Sequence, residues 1–442
     1  MGEPTSAPPR VRLPKLVQGV EFAVFRRRAM RRWIKRHGRI FEMNIPFFGR
    51  SVVVSDPALI RAVCSSSPEQ LANVQPNVGN WFGPGSLFAL DGSRHRARRR
   101  LLAPAFHGRA LTRHTAMIED ETLREVANWP QNVEFRTLEP MSRITLNVIL
   151  RSLFGSDGLS GAELEMLRAT IPPYVRLGQL LAFVPGPPAV VRRHSPWRRM
   201  DAFRAAFDRV VFAHIAAAEA DPALDVRTDI LALLVRARRE DEAGVSCVDI
   251  SDELLTLICA GHETTAAALS WLFERLRRHP QVLAELVDEV DAGGHQLRRA
   301  AIAEVLRSRT VIDVAGRRVI TPDVQLGGWR VAQGATVLVR IADLHDNEEV
   351  FAHPERYEPQ RFCGERGSAA GLAFGGGTRR CLGADFATTE MDVVLRIVLQ
   401  NFRIHTDAAA DEKSSFHGIA HVPKRGGRIT VSRRGELLCR PS

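Results

Sequence analysis

The sequence lacks any uninterrupted apolar segment of the about 18 residues that a membrane-spanning helix needs. Residues 1–9 are polar and rich in proline, and they lack the apolar centre of a secretory signal peptide. These two absences predict a cytoplasmic protein without a transmembrane segment. The chain has 442 residues, of which 45 % are apolar, so it can bury a large core.

Cysteine is scarce and shows no paired spacing. The six cysteines stand at positions 64, 247, 259, 363, 381 and 439, and none belongs to a C-x-x-C motif. This pattern argues against a zinc site and against a disulfide framework. It fits the reducing conditions of the cytoplasm.

Acidic residues are fewer than basic ones, 50 against 61, which gives a net charge of +11. Such a charge suits nucleic acid, an anionic membrane surface or an acidic protein as partner. We find no nucleic-acid-binding motif, which favours an acidic partner protein. In residues 22–40 the basic residues concentrate into a partly amphipathic stretch. This stretch is either a solvated helix face or a peripheral contact with anionic lipid.

The most informative stretch is FGGGTRRCLG, residues 374–383. Its three consecutive glycines let the backbone turn sharply and approach a large flat group. Cys381 follows at or just before a helix N-terminus, where the macrodipole, Arg379 and Arg380 favour a thiolate. A lone cysteine is usually a small buried apolar residue. A thiolate beside a glycine-rich turn, however, suits axial ligation of haem iron.

A second informative stretch lies within residues 249–279, which form a predicted helix of about 45 Å. We expect Asp249 or Ser251 to cap its N-terminus. AGHETT, residues 260–265, stands at its centre, where glycine and threonine are poor helix formers. Such local conflicts are typical of functional sites. A threonine hydroxyl there can bond to a carbonyl one turn earlier and open a groove beside Gly261.

Both stretches resemble the cytochrome P-450 family. F-x-x-G-x-R-x-C-x-G around Cys381 is similar to its haem-ligand loop, and A-G-x-E-T, residues 260–264, to its oxygen-binding segment. The resemblance implies a mainly α fold with small β-sheets, a triangular helical prism around a buried haem. We expect one domain over residues 1–442, with residues 1–13 as a flexible tail. The implied cofactor is haem b, and Cys381 is its implied iron ligand.

The resemblance also assigns roles in oxygen chemistry to the centre of the long helix. Thr264 would order a water molecule and hold the bound oxygen by hydrogen bonding. Glu263 would connect that site to solvent as a proton relay. Ala260 and Gly261 would leave space for the oxygen molecule.

Further residues are assigned to haem binding by the same resemblance. His95 and Arg99 lie at i and i+4 on one predicted helix face and would bind propionates. A further propionate donor is Arg318, with Arg317 as the alternative. The expected haem contacts besides Cys381 are His95, Arg99, Arg318, Arg379, Phe374 and Gly377.

Glu304 and Arg307 form an E-x-x-R motif, which by itself indicates a surface pair on a helix. The resemblance implies instead a buried charge triad with Arg361 that fixes the segment carrying the cysteine loop. The chain departs from the family directly after this helix. The sequence there is Arg309-Thr310-Val311, where a Pro-Pro pair is usual.

The candidate substrate pocket is apolar, which suggests a hydrophobic ligand. Its expected residues are Trp81, Phe82, Leu180, Leu181, Phe183 and Ile419. The aromatic residues of the predicted loop 74–92 suit anchoring that loop to the core equally well. Residues 177–184 resemble the family's mobile lid, and prolines at 172–173 and 185–188 predict helix breaks. We also expect a β-hairpin over residues 40–54 and a terminal strand pair formed by residues 421–422 and 428–431.

The resemblance implies a monooxygenase that inserts one oxygen atom from O₂ into a hydrophobic small molecule. Because no flavin or nicotinamide fingerprint is present, electrons would come from a ferredoxin and its reductase. Arginines near the cysteine loop would steer that docking, namely Arg94, Arg96, Arg98 and Arg380. Two alternatives stay open: a haem-thiolate binding or sensor protein without turnover, and a peroxide-driven hydroxylase.

Overall fold

The computed structural model describes residues 6–24, 26–46, 48–74, 79–155, 158–181, 187–240, 244–364, 371–417 and 419–435. Most of these residues are helical. The helices are α1 (Lys15–Val24), α2 (Arg26–His37), α3 (Pro57–Ser65), α4 (Gly79–Phe82), α5 (Gly92–Leu102), α6 (Arg109–Val126), α7 (Leu138–Phe154), α8 (Gly161–Leu181), α9 (Ala189–Arg192), α10 (Trp197–Ala220), α11 (Ile230–Arg239), α12 (Cys247–Arg278), α13 (Pro280–Asp291), α14 (Gln296–Ser308), α15 (Ile341–His345) and α16 (Ala384–Asn401). Among the described helices, none is both long enough and apolar enough to span a bilayer.

The strands are short and belong to small sheets. They are β1 (Ile40–Ile45), β2 (Gly49–Val54), β3 (Leu71–Asn73), β4 (Phe135–Arg136), β5 (Val314–Val319), β6 (Asp323–Leu326), β7 (Trp329–Ala332), β8 (Thr336–Arg340), β9 (Phe402–Ile404), β10 (Ser414–His417), β11 (Ala420–Pro423), β12 (Arg428–Ile429) and β13 (Val431–Arg433). The largest sheet has the order β1-β2-β8-β5-β3. The predicted hairpin is confirmed by the antiparallel pairing of β1 with β2.

Helix α12 runs through the main hydrophobic core, and it is almost entirely buried on either side of its centre at residues 260–264. It begins two residues earlier than predicted, because Ser246 is its N-cap. The Ser246 hydroxyl accepts the N–H of Asp249 at 3.1 Å, and the Asp249 carboxylate accepts the N–H of Ser246 at 2.9 Å. This reciprocal capping box satisfies two backbone donors. The prediction that Asp249 or Ser251 is the N-cap was therefore wrong.

The predicted helix break at Pro172 and Pro173 is wrong. Helix α8 continues through Pro172 and Pro173, because Leu167, Ile171 and Val175 bury their side chains on one face. Burial of that face outweighs the lost backbone hydrogen bonds.

The flexible tail that we expected over residues 1–13 does not extend to residue 13. Val11 is buried, and its N–H donates to the carbonyl of Glu42 at 2.9 Å, which joins the segment to β1.

The predicted terminal strand pair is wrong. Strand β11, which contains residues 421–422, pairs with β10. Strand β12 pairs with β4, and β13 pairs with β9, so the last strands attach to distant parts of the chain. Short strands carry little information about their partners, and tertiary packing decides the pairing.

Candidate haem site

The cysteine loop is held in a tight turn by its glycines and by neighbouring backbone. The N–H of Cys381 donates to the carbonyl of Phe374 at 2.8 Å. Gly377 has a φ of 62°, and a Cβ there would overlap the carbonyl oxygen of Cys64 in α3. Glycine is therefore required at this position both by conformation and by close approach. Helix α16 begins at Ala384, three residues beyond the cysteine.

The Cys381 side chain is exposed, whereas Leu382 and Ala384 beside it are buried. Although solvent reaches the thiol, the surrounding protein atoms remove enough water to raise its pKa. A hydrogen bond from the backbone of Gly383 and the charges of Arg380 and Arg99 oppose that rise without overcoming it. The N–H of Gly383 and the charge of Arg380 therefore favour the thiolate, as predicted for a helix N-terminus, but burial outweighs them. The thiolate would need a bound cation, which the iron of haem would supply.

Four basic side chains form a cluster around the start of α5. The pKa of His95 is lowered to about 4, mainly by burial. The charges of Arg379, Arg99 and Arg317 also lower this pKa, whereas the charge of Asp91 raises it. The pKa values of the three arginines are also lowered, with burial as the largest cause. Arg379 donates to Asp91 at 2.6 Å. Three partly buried arginines and a neutral histidine around one carboxylate fit a ligand that brings further carboxylates, as the two propionates of haem would.

The choice between Arg317 and Arg318 is decided by the alternation of β5. Arg317 is partly buried, and its charge acts on both His95 and Arg379. Arg318 is exposed, because successive side chains of a strand point to opposite faces. The structure therefore favours Arg317, the alternative, over Arg318 as a member of the basic cluster.

The centre of α12 shows the local geometry expected of its threonines. The Thr264 hydroxyl donates to the carbonyl of Ala260 at 2.8 Å, and the Thr265 hydroxyl to that of Gly261 at 3.1 Å. Ala260, Gly261 and Thr264 are partly exposed, as is Glu263, although the helix is buried on either side of them. Partial exposure inside a buried helix indicates that this side of α12 faces a space that solvent can reach.

Glu304, Arg307 and Arg361 come together in the fold. Arg307 donates to both carboxylate oxygens of Glu304, at 2.7 and 2.8 Å. The Nε of Arg361 donates to Glu304 at 3.2 Å. Arg307 also donates to the backbone carbonyls of His345 and Arg356, at 2.9 and 3.1 Å. The group thus joins α14 to the irregular segment that precedes the cysteine loop.

The two aromatic candidates for substrate contact are packed into the protein. Trp81 and Phe82 are buried and stacked on each other, with ring centroids 4.8 Å apart. Trp81 lies against Tyr174 and Gly178 of α8, and a Cβ at Gly178 would overlap its ring. Tyr174 donates to the carbonyl of Trp81 at 3.2 Å. Of the two interpretations left open by the sequence, these contacts favour anchoring of the loop.

The other pocket candidates lie at the end of α8, in the segment after it and beside β11. Leu181 and Ile419 are partly buried against the main core. Phe183 and the side chain of Leu180 lie outside the described residues.

A buried charge network holds the loop before α5 to α12, and the sequence analysis did not identify it. Asp252 accepts the N–H of Gly85 at 2.8 Å, and Glu253 accepts that of Leu87 at 3.0 Å. Arg98 donates to Glu253 at 3.3 Å. Burial raises the pKa of Glu253 to about 7, although Arg98 acts in the opposite direction. The available signal was a pair of adjacent acids, Asp252 and Glu253, directly before an apolar run of the helix.

This network corrects one of the predicted docking residues. Arg98 is almost completely buried, with 2 % exposure, so it is not available to steer a partner protein. Arg94, Arg96 and Arg380 are exposed.

Comparison with known proteins gives the same family along nearly the whole chain. The family model Cytochrome P450 matches residues 8–430. Cytochrome P450 138 of Mycobacterium tuberculosis is 54 % identical over 428 residues, which cover 97 % of this chain and 96 % of that relative. Cytochrome P450 135B1 of the same species is 36 % identical over 433 residues, or 96 % of this chain and 91 % of the relative. The names of these relatives state no substrate.

Solved structures show the same fold. The retinoic acid-bound cyanobacterial CYP120A1 matches with a TM-score of 0.83 at 23 % identity, covering 97 % of this chain and all of that one. The haem domain of cytochrome P450DA matches with a TM-score of 0.81 at 22 % identity, covering 97 % and 98 %. At this identity the likeness concerns the fold.

Proposed function

Because the chain belongs to the cytochrome P450 family, we propose that it is a monooxygenase that inserts one oxygen atom from O₂ into a hydrophobic small molecule. The observation that carries the proposal is the accessible thiol of Cys381. It lies in a glycine turn followed by the buried side chains of Leu382 and Ala384, beside a basic cluster that contains one carboxylate, Asp91. That combination fits a cofactor that has a metal centre and carboxylate substituents.

The residues proposed to hold haem b are Cys381 for the iron and the basic cluster for the propionates. His95, Arg99 and Arg379 belong to that cluster, and Arg317 takes the place predicted for Arg318. Each added carboxylate would raise the lowered pKa values of these cations towards their ordinary range. Phe374 and Gly377 shape the loop that approaches the porphyrin.

Bound haem supplies the reductive activation of O₂. The residues proposed to manage its protons are Thr264 and Glu263. Because the Thr264 hydroxyl donates its proton to the carbonyl of Ala260, its oxygen can accept a hydrogen bond on the accessible side of α12. A water molecule held there can donate to the hydroxyl oxygen. Glu263, which precedes Thr264 in the helix, is partly exposed and can therefore pass protons from solvent to this site.

The substrate is proposed to be hydrophobic, because the candidate pocket residues that remain accessible, Leu181 and Ile419, are apolar. Electrons are proposed to come from a ferredoxin and a ferredoxin reductase in the cytoplasm. Arg94, Arg96 and Arg380 are exposed cations on or beside the segments that carry His95 and Cys381. They would steer an acidic ferredoxin to this face.

The test supplies ¹⁸O₂, a surrogate ferredoxin with its reductase, and a panel of fatty acids and sterols that has been screened for a shift of the Soret band. A product that carries one ¹⁸O atom and requires the reductant supports the proposal. Ligand binding with no product under any condition would assign a sensor. A product that forms with hydrogen peroxide but not with the reductase would assign a peroxide-driven hydroxylase.

A further inference from the structure

Helix α1 exposes a stripe of apolar side chains. Leu16, Val17, Val20 and Val24 are all exposed, Leu16 by 78 % and Val24 by 67 %. At about 100° per residue these four positions fall within roughly 100° of the helix circumference. Gln18, almost opposite to them, is buried. A contiguous exposed apolar stripe on a folded protein usually marks a contact with something outside it.

Helix α2 exposes cations instead. Its buried face is made by Ala29, Met30 and Trp33. The opposite face carries five exposed basic side chains, which lie within about 140° of one another. They are Arg28, Arg31, Arg32, Lys35 and Arg36.

The apolar stripe and the basic face adjoin. Glu21 in α1 lies about 40° from Val17 around the helix, and it pairs with Arg32 of the basic face. Glu21 also accepts the indole N–H of Trp33 at 2.9 Å. It is the only acidic residue in 15–37, against eight Lys and Arg. The two helices therefore present one amphipathic, cationic surface, which we call the α1–α2 surface.

The α1–α2 surface is fixed to the body of the protein. Phe22, Met30 and Trp33 pack with Phe41 and Met43 of β1 in one hydrophobic cluster. The side chain of Gln18 accepts the N–H of Asn44 at 2.7 Å. Arg26 donates to the buried Asp313 at 2.7 Å. The exposed side chains are thus held in a defined arrangement.

We propose that the α1–α2 surface docks the protein on an anionic lipid surface. The apolar stripe would enter the boundary between headgroups and acyl chains, and the basic face would contact lipid phosphates. Nucleic acid or an acidic protein would match the cations but leave the valines and Leu16 in water. A second copy of the chain would bring like charges together. Anionic lipid satisfies both halves of the surface at once.

The test is sedimentation of the purified haem-loaded protein with phosphatidylcholine vesicles, with and without phosphatidylglycerol. We expect binding to the anionic vesicles, weakened by salt. The variant Leu16→Ser/Val20→Ser/Val24→Ser should bind at least tenfold more weakly, and so should Arg28→Gln/Arg32→Gln/Arg36→Gln. Because all six positions are exposed, the haem spectrum should not change.

Control variants carry two substitutions of the same kinds elsewhere on the surface. Val226→Ser/Val248→Ser removes exposed valines, and Arg109→Gln/Arg113→Gln removes exposed arginines; both should bind like the unchanged protein. Failure of the unchanged protein to sediment with anionic vesicles would overturn the proposal. The proposal would also be overturned if the test and control variants lost vesicle binding equally. A dimer in solution that the Leu16, Val20 and Val24 substitutions dissociate would overturn it as well.

Discussion

Arg307 donates two hydrogen bonds to the carboxylate of Glu304, at 2.7 and 2.8 Å, and both side chains are almost completely buried. Removing one partner of a buried pair leaves an uncompensated charge, which costs about 3–5 kcal/mol. Glu304→Ala should therefore lower the unfolding midpoint strongly and reduce the haem content per chain, as measured by calorimetry and pyridine haemochrome assay.

Glu165 provides the matched control for this prediction. It pairs with Arg168 at the same i, i+3 spacing and 2.6 Å, but its side chain is 72 % exposed. Exposed pairs contribute about 0–1 kcal/mol, so Glu165→Ala should keep its haem and its stability. A Glu304→Ala protein with full haem content and an unchanged midpoint would refute the role of the triad.

The sequence predicted the parts of this fold that depend on local chemistry. The glycine turn before Cys381 and the hairpin of β1 and β2 both follow from short motifs. Features that depend on distant contacts were missed. The continuation of α8 through Pro172 depends on burial of its apolar face, and the partner of β12 lies almost 300 residues away. Glu253 was missed because its partner Arg98 is 155 residues distant.

Arg317 and Arg318 are neighbours in β5, which makes them a direct comparison. If Arg317 belongs to the propionate site, Arg317→Ala should release haem to excess apomyoglobin roughly tenfold faster, since a hydrogen bond to a charged group contributes about 1.5–3 kcal/mol. Arg318→Ala should release haem at the unchanged rate, because its side chain is exposed on the other face. The reverse order of the two rates would restore Arg318 as the donor.

Thr264 is predicted to couple oxygen consumption to product formation. Thr264→Ala should retain electron uptake but divert most of it to hydrogen peroxide, because the hydroxyl that holds the water is lost. Thr264→Ser should remain coupled. Thr265 makes the same bond to a carbonyl one turn earlier but is buried, so Thr265→Ala should stay coupled as well. Equal coupling in Thr264→Ala and the unchanged protein would contradict the relay.

Glu253 should make stability depend on pH. Burial raises its pKa from 4.5 to about 7 in the folded protein. Between these values the folded state holds a proton that the unfolded state has lost, so the free energy of unfolding falls as the pH rises through this window. Glu253→Gln cannot titrate. Its unfolding midpoint relative to the unchanged protein should therefore rise from pH 4.5 to 7. A difference that stays constant with pH would show that Glu253 is already ionised at the lower end.

The central claim is that Cys381 binds haem iron through its sulfur. The most direct measurement is the absorption spectrum of the reduced protein under carbon monoxide. The unchanged protein should show the red-shifted Soret band of thiolate ligation. The same band is expected for Cys64→Ser, since Cys64 is a buried residue of α3 that lies against Gly376 and Gly377 of the loop. Cys381→Ser should lack it. Thiolate ligation that persists in Cys381→Ser would contradict the account.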